Sequence, residues 1–217
     1  MLDVGCGNGL LAQRLSSLGF DVTALDRSLK RTERVAAVRF LETDFLGFAD
    51  APYDALVFSA SLHHLFPLEE ALAAAERLLR PGGRFLAADF DLEAPDVQTA
   101  RWYYDMEGLL HAAGLYRHDK VEGSPTDEPL ARWHKEHLDT PPFHTGAAMQ
   151  AAIGRRFRGL QVSRGPYLFR YVAGCLVPSP HAVAVARFAL EAEERGIAAS
   201  ALKPVGLRLM AHKDEGR

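Results

Sequence analysis

The feature that most constrains the fold of this 217-residue chain is a glycine-rich run at residues 3–9, Asp3-Val4-Gly5-Cys6-Gly7-Asn8-Gly9. The apolar start of the chain, Met1–Val4, predicts a short buried strand before the glycines. The residues after them predict a helix, because leucines recur at helical spacing at positions 10, 11, 15 and 18. Glycine permits positive φ angles and lets a ligand approach the backbone closely. The unpaired N–H groups of a helix start suit an anionic group, so the run predicts a nucleotide-type site at the carboxyl end of a strand.

The next eighty residues alternate apolar runs with helical patterns. Further strands are predicted over residues 20–25, 38–41, 54–59 and 84–88, and helices over residues 28–37 and 67–79. Strands that alternate with helices indicate βαβ units and a parallel sheet. Runs that are apolar at successive positions indicate strands that helices cover on both faces.

The second half of the chain is less regular. Helices are predicted over residues 101–113, around residues 149–157 and over residues 182–195. Strands are predicted at Tyr167–Val172 and Val205–Met210. Residues 118–146 combine proline, glycine, histidine and charged residues without periodicity, which predicts a long loop or lid; such loops are usually functional.

Acidic residues follow the second and third predicted strands. Asp26 comes about twenty residues after the first glycine, where a carboxylate accepts hydrogen bonds from ribose hydroxyls in dinucleotide-binding folds. Asp44 and Phe45 follow the third strand. Each also has a purely structural interpretation: Asp26 as a helix N-cap, Asp44 as an acid without a binding role and Phe45 as a core side chain. The glycine spacing departs from the dinucleotide pattern G-x-G-x-x-G, because the third glycine comes one residue early, at Gly9.

The pattern D-x-G-x-G-x-G instead resembles motif I of the class I S-adenosylmethionine-dependent methyltransferases. Residues 53–65, from Tyr53 to Leu65, look like the fourth strand of that family and the loop after it. Residues 78–85, Leu-Leu-Arg-Pro-Gly-Gly-Arg-Phe, look like its junction between a helix and the fifth strand. The resemblance covers roughly residues 1–90 and is closest to the small-molecule group called methyltransferase type 11.

The resemblance implies a doubly wound, mostly parallel, seven-stranded Rossmann-like α/β sheet with helices on both faces and a partly irregular cap or lid. It implies one methyltransferase domain over residues 1–217. Residues 1–90 would form the cofactor half, about 91–160 the acceptor-side helices and lid, and about 160–217 the closing antiparallel strands and a helix. The two late strands, Tyr167–Val172 and Val205–Met210, are the candidates for the closing pair.

The resemblance also assigns residues to the cofactor, S-adenosylmethionine. Asp3 and the amides of residues 5–9 would hold the methionine part, Asp26 the ribose, and Asp44 with Phe45 the adenine, while Ser59 and Ala60 would line the floor below the sulfonium. The cofactor-binding residues expected on this basis are Asp3, Gly5, Cys6, Gly7, Gly9, Asp26, Arg27, Asp44, Phe45, Ser59 and Ala60. Cys6, within the loop, is also interpreted as a small packing residue. Family members usually carry a helix before motif I, which puts in question whether the N-terminus is truncated.

Two neighbouring histidines follow the fourth strand, where the acceptor should lie. A neutral imidazole at His63 or His64 could take a proton from an acceptor, whereas the structural alternative is a backbone contact and a solvent-facing ring. His134 and His137 lie three apart, but no metal-binding motif accompanies them, and no metal site is expected. Several aromatic residues are candidates for the acceptor pocket or for plain packing: Trp102, Tyr103, Tyr104, Trp133 and Phe143.

Bulk properties narrow the function classes. The net charge of −3 and the absence of an Asn/Asp-Pro-Pro-aromatic motif at residues 59–64 argue against a nucleic-acid partner. They favour a small-molecule acceptor and leave a protein acceptor open. Two cysteines, with no apolar run of membrane-spanning length and no signal peptide, predict a cytoplasmic protein without a membrane partner. The expected reaction is methyl transfer to an O, N or C nucleophile. The alternatives are a catalytically silent cofactor-binding module and an NAD(P)-dependent oxidoreductase. The oligomeric state is not predicted.

Overall fold

The computed structural model describes residues 1–29, 37–117, 128–137 and 142–216. It contains one seven-stranded sheet with the strand order β3-β2-β1-β4-β5-β7-β6. The strands are β1 (Leu2–Val4), β2 (Val22–Asp26), β3 (Val38–Glu42), β4 (Tyr53–Ser59), β5 (Leu79–Phe90), β6 (Arg158–Gly165) and β7 (Gly206–His212). The helices are α1 (Leu10–Ser17), α2 (Leu68–Leu78), α3 (Val97–Ala112), α4 (Pro129–Glu136), α5 (Gly146–Arg156), α6 (Leu168–Cys175) and α7 (Ala182–Ala198).

The first five strands run parallel. The central strand β1 pairs with β2 through Val4 and Leu25 and with β4 through Val4 and Phe58. Strands β2–β3 and β4–β5 are also parallel, with a register irregularity beside Tyr53. The carboxyl ends of these strands therefore lie along one edge of the sheet, as the alternation of strands and helices predicts.

Strand β7 is antiparallel to β5. The backbone of Lys213 exchanges hydrogen bonds with Gly82 and Gly83 at 2.9–3.1 Å, where β5 begins and β7 ends. At the other end of β5, the Asp91 amide donates to the Val205 carbonyl at 2.9 Å, just before β7 begins. The mostly parallel, seven-stranded α/β fold predicted from the sequence is confirmed.

The chain divides into two compact units, which are described separately. The first comprises residues 1–89, 144–163 and 207–217. On one sheet face, α2 and α5 pack over a core that includes Leu56, Phe58 and Phe85. On the other face, Ala12 of α1 packs against Val22, Ala24 and Val38. Helices thus cover this unit's sheet on both faces, and burial of these apolar side chains is its main source of stability.

The second unit comprises residues 90–143 and 164–206. It is built from α3, α4, α6 and α7, with Trp133 of α4 fully buried. The buried carboxylate of Glu193 on α7 accepts hydrogen bonds from the amides of Tyr167, Leu168 and Phe169 at 2.7–3.0 Å. These are unpaired donors at the start of α6, so one side chain of α7 caps another helix. Burial raises the pKa of Glu193, against the opposing effect of these amides.

Three predictions about elements are wrong. Tyr167–Val172 is not a strand but forms α6, in which Leu168 and Val172 are buried four residues apart. The closing strand is instead β6, an edge strand whose residues are mostly exposed and whose apolar alternation is limited to Leu160 and Val162. Residues 118–146 are not one irregular loop, because α4 lies within them. Residues 118–127 and 138–141 of that segment, including His118, lie outside the described residues, as do residues 30–36 of the predicted helix over 28–37.

Other element predictions agree with the structure. Strand β7 and helices α2, α3, α5 and α7 lie where the sequence predicts them. Helix α3 begins earlier than expected, because the Asp96 side chain accepts a hydrogen bond from the Thr99 amide at 2.9 Å and acts as N-cap. In the described residues, no helix is both long enough and apolar enough to cross a membrane. The assignment of the whole chain to one methyltransferase domain stays a prediction.

Candidate functional site

The glycine loop leaves β1 in a conformation that only glycine adopts readily. Gly5, Gly7 and Gly9 have φ angles of 73°, 54° and 75°. The amides of Gly5 and Cys6 both donate to the Leu25 carbonyl, at 2.9 and 3.0 Å, so the loop is tied to the end of β2. A Cβ on Gly5 would lie 2.6 Å from the Cβ of Ser61, whereas a Cβ on Gly7 would meet nothing within 4 Å. Gly5 is therefore needed for packing, and Gly7 faces open space.

Asp26 joins the loop to the second strand. One carboxylate oxygen accepts the Gly7 amide at 2.8 Å and the other accepts the Ser28 amide at 3.1 Å. The structure therefore brings together two residues that the sequence places nineteen positions apart. The N-cap interpretation of Asp26 falls on a segment that is only partly described.

Asp44 and Phe45 lie next to this arrangement. Asp44 forms an ion pair with Arg27 at 2.5 Å and accepts the Leu46 amide at 2.8 Å. Phe45 is buried and meets Phe58 edge to face, with ring centroids 5.6 Å apart. Phe45 therefore belongs to the core, in agreement with its structural interpretation, and it also borders a cavity. Its packing against an adenine ring stays a prediction.

A cavity of about 370 Å³ opens at this edge of the sheet, within the first unit. Its size lies in the range of small-molecule sites. Of the residues predicted to bind a cofactor, six line it: Gly5, Gly7, Asp26, Arg27, Phe45 and Ala60. The other lining residues are Val4, Leu25, Thr43, Ser61, His64 and Leu65. The remaining predicted residues, Asp3, Cys6, Gly9, Asp44 and Ser59, are not among those that line it.

Asp3 lies in β1 beneath the loop and is 1% exposed. Neither of its carboxylate oxygens has a hydrogen-bond partner among the described residues. Burial, and then the negative charge of Asp26, raises its pKa to about 7. A buried carboxylate without a partner costs free energy, so this position is suited to a group that brings a positive charge.

The thiol of Cys6 takes no part in this chemistry. Burial raises its pKa to about 12, with further contributions from the charges of Asp3 and Asp26. The thiol is therefore protonated at neutral pH and unreactive as a nucleophile. Its side chain packs in the cluster under α1, in agreement with the packing interpretation.

The turn after β4 also borders the cavity, through Ala60, Ser61 and His64. Ala60 has a positive φ of 53°, and its amide donates to the Ala88 carbonyl at 2.8 Å. The Ser61 hydroxyl donates to the Val4 carbonyl at 2.6 Å. The turn is thereby attached to both β5 and β1, which fixes the wall that it presents to the cavity.

The two histidines differ in their surroundings. His63 is buried, and its Nδ1 lies 2.7 Å from a carboxylate oxygen of Asp89 at the end of β5. The backbone amide of His63 donates to the other oxygen at 3.2 Å. His64 is exposed and lines the cavity. Asp89 was not predicted as a site residue, although it is an acid at the carboxyl end of a parallel strand, as are Asp26 and Asp44.

The aromatic residues predicted as candidates for an acceptor pocket lie in the second unit. Tyr103, Trp133 and Phe143 belong to an aromatic cluster around Phe90 and Tyr171. Trp133 donates from its indole to the Leu92 carbonyl at 2.9 Å, and Tyr104 donates to Glu136 at 2.8 Å. Trp102 is half-buried. Their role as an acceptor pocket stays a prediction.

His137, which directly follows α4, also has assigned contacts. The ring nitrogens of His137 lie 2.8 Å from the Trp133 carbonyl and 3.1 Å from the Tyr171 hydroxyl. Across the ranges that the structure describes, no group of three or more His, Cys, Asp or Glu side chains is placed to hold a metal ion.

Comparison with known proteins identifies relatives. A family model described as a methyltransferase domain matches residues 2–87. An uncharacterized methyltransferase of Mycobacterium bovis is 34% identical over 111 residues, 48% of this chain and 55% of the relative. A ubiquinone biosynthesis O-methyltransferase of Caulobacter sp. is 33% identical over 167 residues, 71% of this chain and 65% of the relative. The chain thus spans between about half and two thirds of these relatives.

A solved structure shares the fold along nearly the whole chain. An S-adenosylmethionine-dependent methyltransferase from Mesorhizobium loti superposes with a TM-score of 0.57 at 16% identity. The match covers 98% of this chain and 90% of that one. At this identity the likeness establishes the fold alone.

Proposed function

We propose that this chain, which belongs to the class I S-adenosylmethionine-dependent methyltransferases, transfers a methyl group to an O, N or C nucleophile of a small molecule. The proposal rests on the hydrogen bond that joins Gly7 and Asp26 at a cavity. It also rests on Asp3, one residue before the cavity-lining Val4, whose buried carboxylate has no hydrogen-bond partner among the described residues. The loop and the acid suit a nucleoside, and the carboxylate suits an amino acid's ammonium group. S-adenosylmethionine carries both in one molecule.

The described residues fit the nucleoside part of the cofactor. We propose that Asp26 accepts the ribose hydroxyls and that Phe45 packs against the adenine. Asp44 would accept a hydrogen bond from the adenine amino group while it stays paired with Arg27, since a carboxylate can accept several bonds. The geometry of Phe45 supports this role, because its ring borders the cavity and Phe58 fixes its position.

The described residues also fit the methionine part. Asp3 would meet the positive charge of the ammonium group, and the loop amides near Gly9 would meet the carboxylate. Ser59 and Ala60 would lie near the sulfonium. Cys6 would contribute its backbone amide rather than its thiol.

When bound, the cofactor supplies the electrophilic methyl group. The chain's own contribution is to bind both reactants in a fixed orientation and to exclude water. Orientation of this kind is worth up to roughly 7–11 kcal/mol in well-aligned systems, so methyl transfer does not require a strong acid–base pair. We propose His63 and His64 as the candidates for proton removal where the acceptor must lose a proton.

The acceptor is proposed to be a small molecule rather than a nucleic acid. Residues 59–64, Ser-Ala-Ser-Leu-His-His, lack the motif of amino-methylating nucleic-acid enzymes, and the net charge is −3. The relative from Caulobacter is a ubiquinone biosynthesis O-methyltransferase, which supports a small organic acceptor. A cytoplasmic location is proposed on the composition described above.

Calorimetry with S-adenosylhomocysteine tests the proposal. Binding by the wild-type protein is expected, with a loss of at least about tenfold in affinity for Asp26→Ala, because hydrogen bonds to charged groups are worth roughly 1.5–3 kcal/mol each. Gly7→Arg should bind still more weakly, because the new side chain would enter the cavity. Asp21→Ala is the matched control, since Asp21 is an exposed acid at the opposite end of β2. Unchanged affinity in both Asp26→Ala and Gly7→Arg would refute the assignment.

A further inference from the structure

The turn after β4 contains a pair of buried, hydrogen-bonded groups. The side chains of His63 and Asp89 are 6% and 0% exposed. Asp89 binds the backbone amide of His63 at 3.2 Å and its Nδ1 at 2.7 Å. A carboxylate accepts hydrogen bonds and does not donate them, so Nδ1 carries the proton and Nε2 is the basic nitrogen of the neutral ring. The carboxylate therefore fixes both the ring position and the tautomer of His63.

The same turn is attached from a second side. The backbone amide of His144 donates to the His63 carbonyl at 3.1 Å, and Nε2 of His144 lies 2.9 Å from the Leu65 carbonyl. The ring of Phe66 stacks on His144, with centroids 5.5 Å apart. The turn thus keeps several contacts that do not involve the Asp89 carboxylate, and substitution of Asp89 is expected to leave the fold intact.

The second histidine connects this pair to the cavity. The ring centroid of His64 lies 3.9 Å from that of His63. His64 lines the cavity beside Ala60 and Ser61. The order of contacts from the buried interior to the cavity is therefore Asp89, His63 and His64.

We propose that His64 is the general base for a hydroxyl acceptor and that Asp89 and His63 form a positioning pair behind it. This inference rests on the proposed methyltransferase function. A neutral hydroxyl is a weak nucleophile and gains most from proton removal, whereas a neutral amine already presents a lone pair. A phenol-type or enol-type hydroxyl, which ionises most readily, is the acceptor class that this arrangement favours.

The charge of Asp89 gives the pair of His63 and Asp89 a role beside the proposed base, His64. The ring centroid of His64 lies 3.9 Å from that of His63, so positive charge that develops on His64 during proton transfer lies close to the buried pair. The Asp89 carboxylate offsets that positive charge from within the protein. Two titratable residues lie in the described contacts of His63: Asp89 from β5, bonded to its ring, and His144 from the segment before α5, whose amide bonds its carbonyl. Asp26 lines the same cavity as His64.

The step balances without a further reactant. The hydroxyl proton passes to the His64 imidazole, the oxygen forms a bond to the methyl carbon, and the carbon–sulfur bond of the bound cofactor breaks with its electron pair left on sulfur. The products are a methyl ether, S-adenosylhomocysteine and an imidazolium that returns its proton to solvent. No metal or redox group enters this balance.

The test uses 4-nitrocatechol, whose neutral and ionised forms absorb at different wavelengths. Added to the wild-type protein loaded with S-adenosylhomocysteine, it should ionise at lower pH than in buffer. His64→Gln should abolish that change, and with S-adenosylmethionine it should lower kcat for this acceptor about 100-fold or more. Asp89→Asn should weaken the change and lower kcat by at least about tenfold. It should also move the pH profile of kcat/KM. Both variants should bind S-adenosylhomocysteine within about threefold of wild type.

Asp91→Asn is the matched control, because Asp91 is another buried acid close to Asp89 but pairs with Arg164 at 2.7 Å. It should leave the absorbance change and the pH profile as in wild type. The proposal is overturned if His64→Gln keeps the wild-type absorbance change or if Asp89→Asn keeps the wild-type pH profile. It is also overturned if both variants lose S-adenosylhomocysteine binding. A wild-type complex in which 4-nitrocatechol ionises at the same pH as in buffer would overturn it as well. Failure of the wild-type protein to bind S-adenosylhomocysteine would instead remove the proposed function itself.

Discussion

Replacing Asp3 by asparagine tests two effects of one buried carboxylate. We expect its charge to lower the free energy of unfolding and to raise the affinity for the cofactor. Asp3 is 1% exposed, its carboxylate has no hydrogen-bond partner among the described residues, and its pKa is raised to about 7 by burial and by Asp26. The unfolded chain would titrate near the ordinary value of 3.8. Asparagine has nearly the same shape but does not ionise, so the substitution removes the charge and little else.

The sign and size of the stability effect follow from these two pKa values. Between them, the folded protein holds a proton on Asp3 that the unfolded chain has released. Because the folded state binds more protons, the free energy of unfolding falls as pH rises through this window. A pKa raised from 3.8 to about 7 corresponds to a loss that approaches roughly 4 kcal/mol above pH 7 and is absent near pH 3. Asp3→Asn should therefore be more stable than wild type at pH 8 by up to roughly 4 kcal/mol, with little difference at pH 4.

Cofactor affinity should change with pH in the opposite direction to the free energy of unfolding. If the ammonium group of the cofactor lies beside Asp3, it favours the charged carboxylate, so binding below pH 7 releases a proton. The affinity of wild type for S-adenosylhomocysteine should then rise with pH, by up to about tenfold per pH unit, and level off above pH 7. At pH 8, Asp3→Asn should bind roughly 10- to 100-fold more weakly than wild type, despite its greater stability.

Denaturant unfolding at pH 5, 6, 7 and 8, with calorimetry in buffers of different ionisation enthalpy, measures both effects. Asp21→Asn serves as control, because Asp21 is exposed and lies at the other end of β2. Parallel stability curves for wild type and Asp3→Asn across this range would refute the argument. So would cofactor binding that releases no proton at pH 6.

Three further substitutions have effects that the structure specifies. Gly5→Ala should lower the free energy of unfolding by roughly 2–4 kcal/mol in thermal or denaturant unfolding, because its Cβ would lie 2.6 Å from Ser61 at a positive φ; a loss below 1 kcal/mol would contradict the packing described. Glu193→Ala should cost roughly 2–4 kcal/mol, since three helix-start amides lose their acceptor, and Glu193→Gln should recover part of that loss; equal stability of the two variants would argue against capping. Lys213→Met should lower the melting temperature by a few degrees, because the lysine ammonium group donates to the Glu76 and Leu79 carbonyls at the end of α2. An unchanged melting temperature would show that these hydrogen bonds do not stabilise the fold.

The fold of roughly the first ninety residues could be predicted because its signals are local. Strands such as β4 are buried apolar runs, and the glycines mark the turn between β1 and α1. Acids at the carboxyl ends of parallel strands meet at one edge, so the approach of Asp26 to the glycine loop follows from topology.

The second half could not be predicted as well, for physical reasons. Strand β6 lies at the sheet edge and its side chains are mostly exposed, so its apolar alternation is limited to Leu160 and Val162, which is too short to predict a strand. Helix α6 combines aromatic and β-branched residues that favour strands, and its start is capped by Glu193, far along the chain. Helix α4 buries one large side chain, Trp133, which is too few to produce a period.

The pairing of individual side chains could not be predicted from the sequence either. The contact between His63 and Asp89 joins residues twenty-six positions apart, and the sequence gives no sign of which acid meets which histidine. The ion pair between Arg27 and Asp44 depends likewise on the adjacency of β2 and β3.

A crystal structure of the protein with S-adenosylhomocysteine tests the central claim most directly. It should show the ribose hydroxyls on the Asp26 carboxylate, the adenine against Phe45, and the ammonium group of the amino acid part at Asp3. A ligand bound elsewhere on the protein, or one in the cavity that leaves Asp26 and Asp3 without contact, would contradict the account.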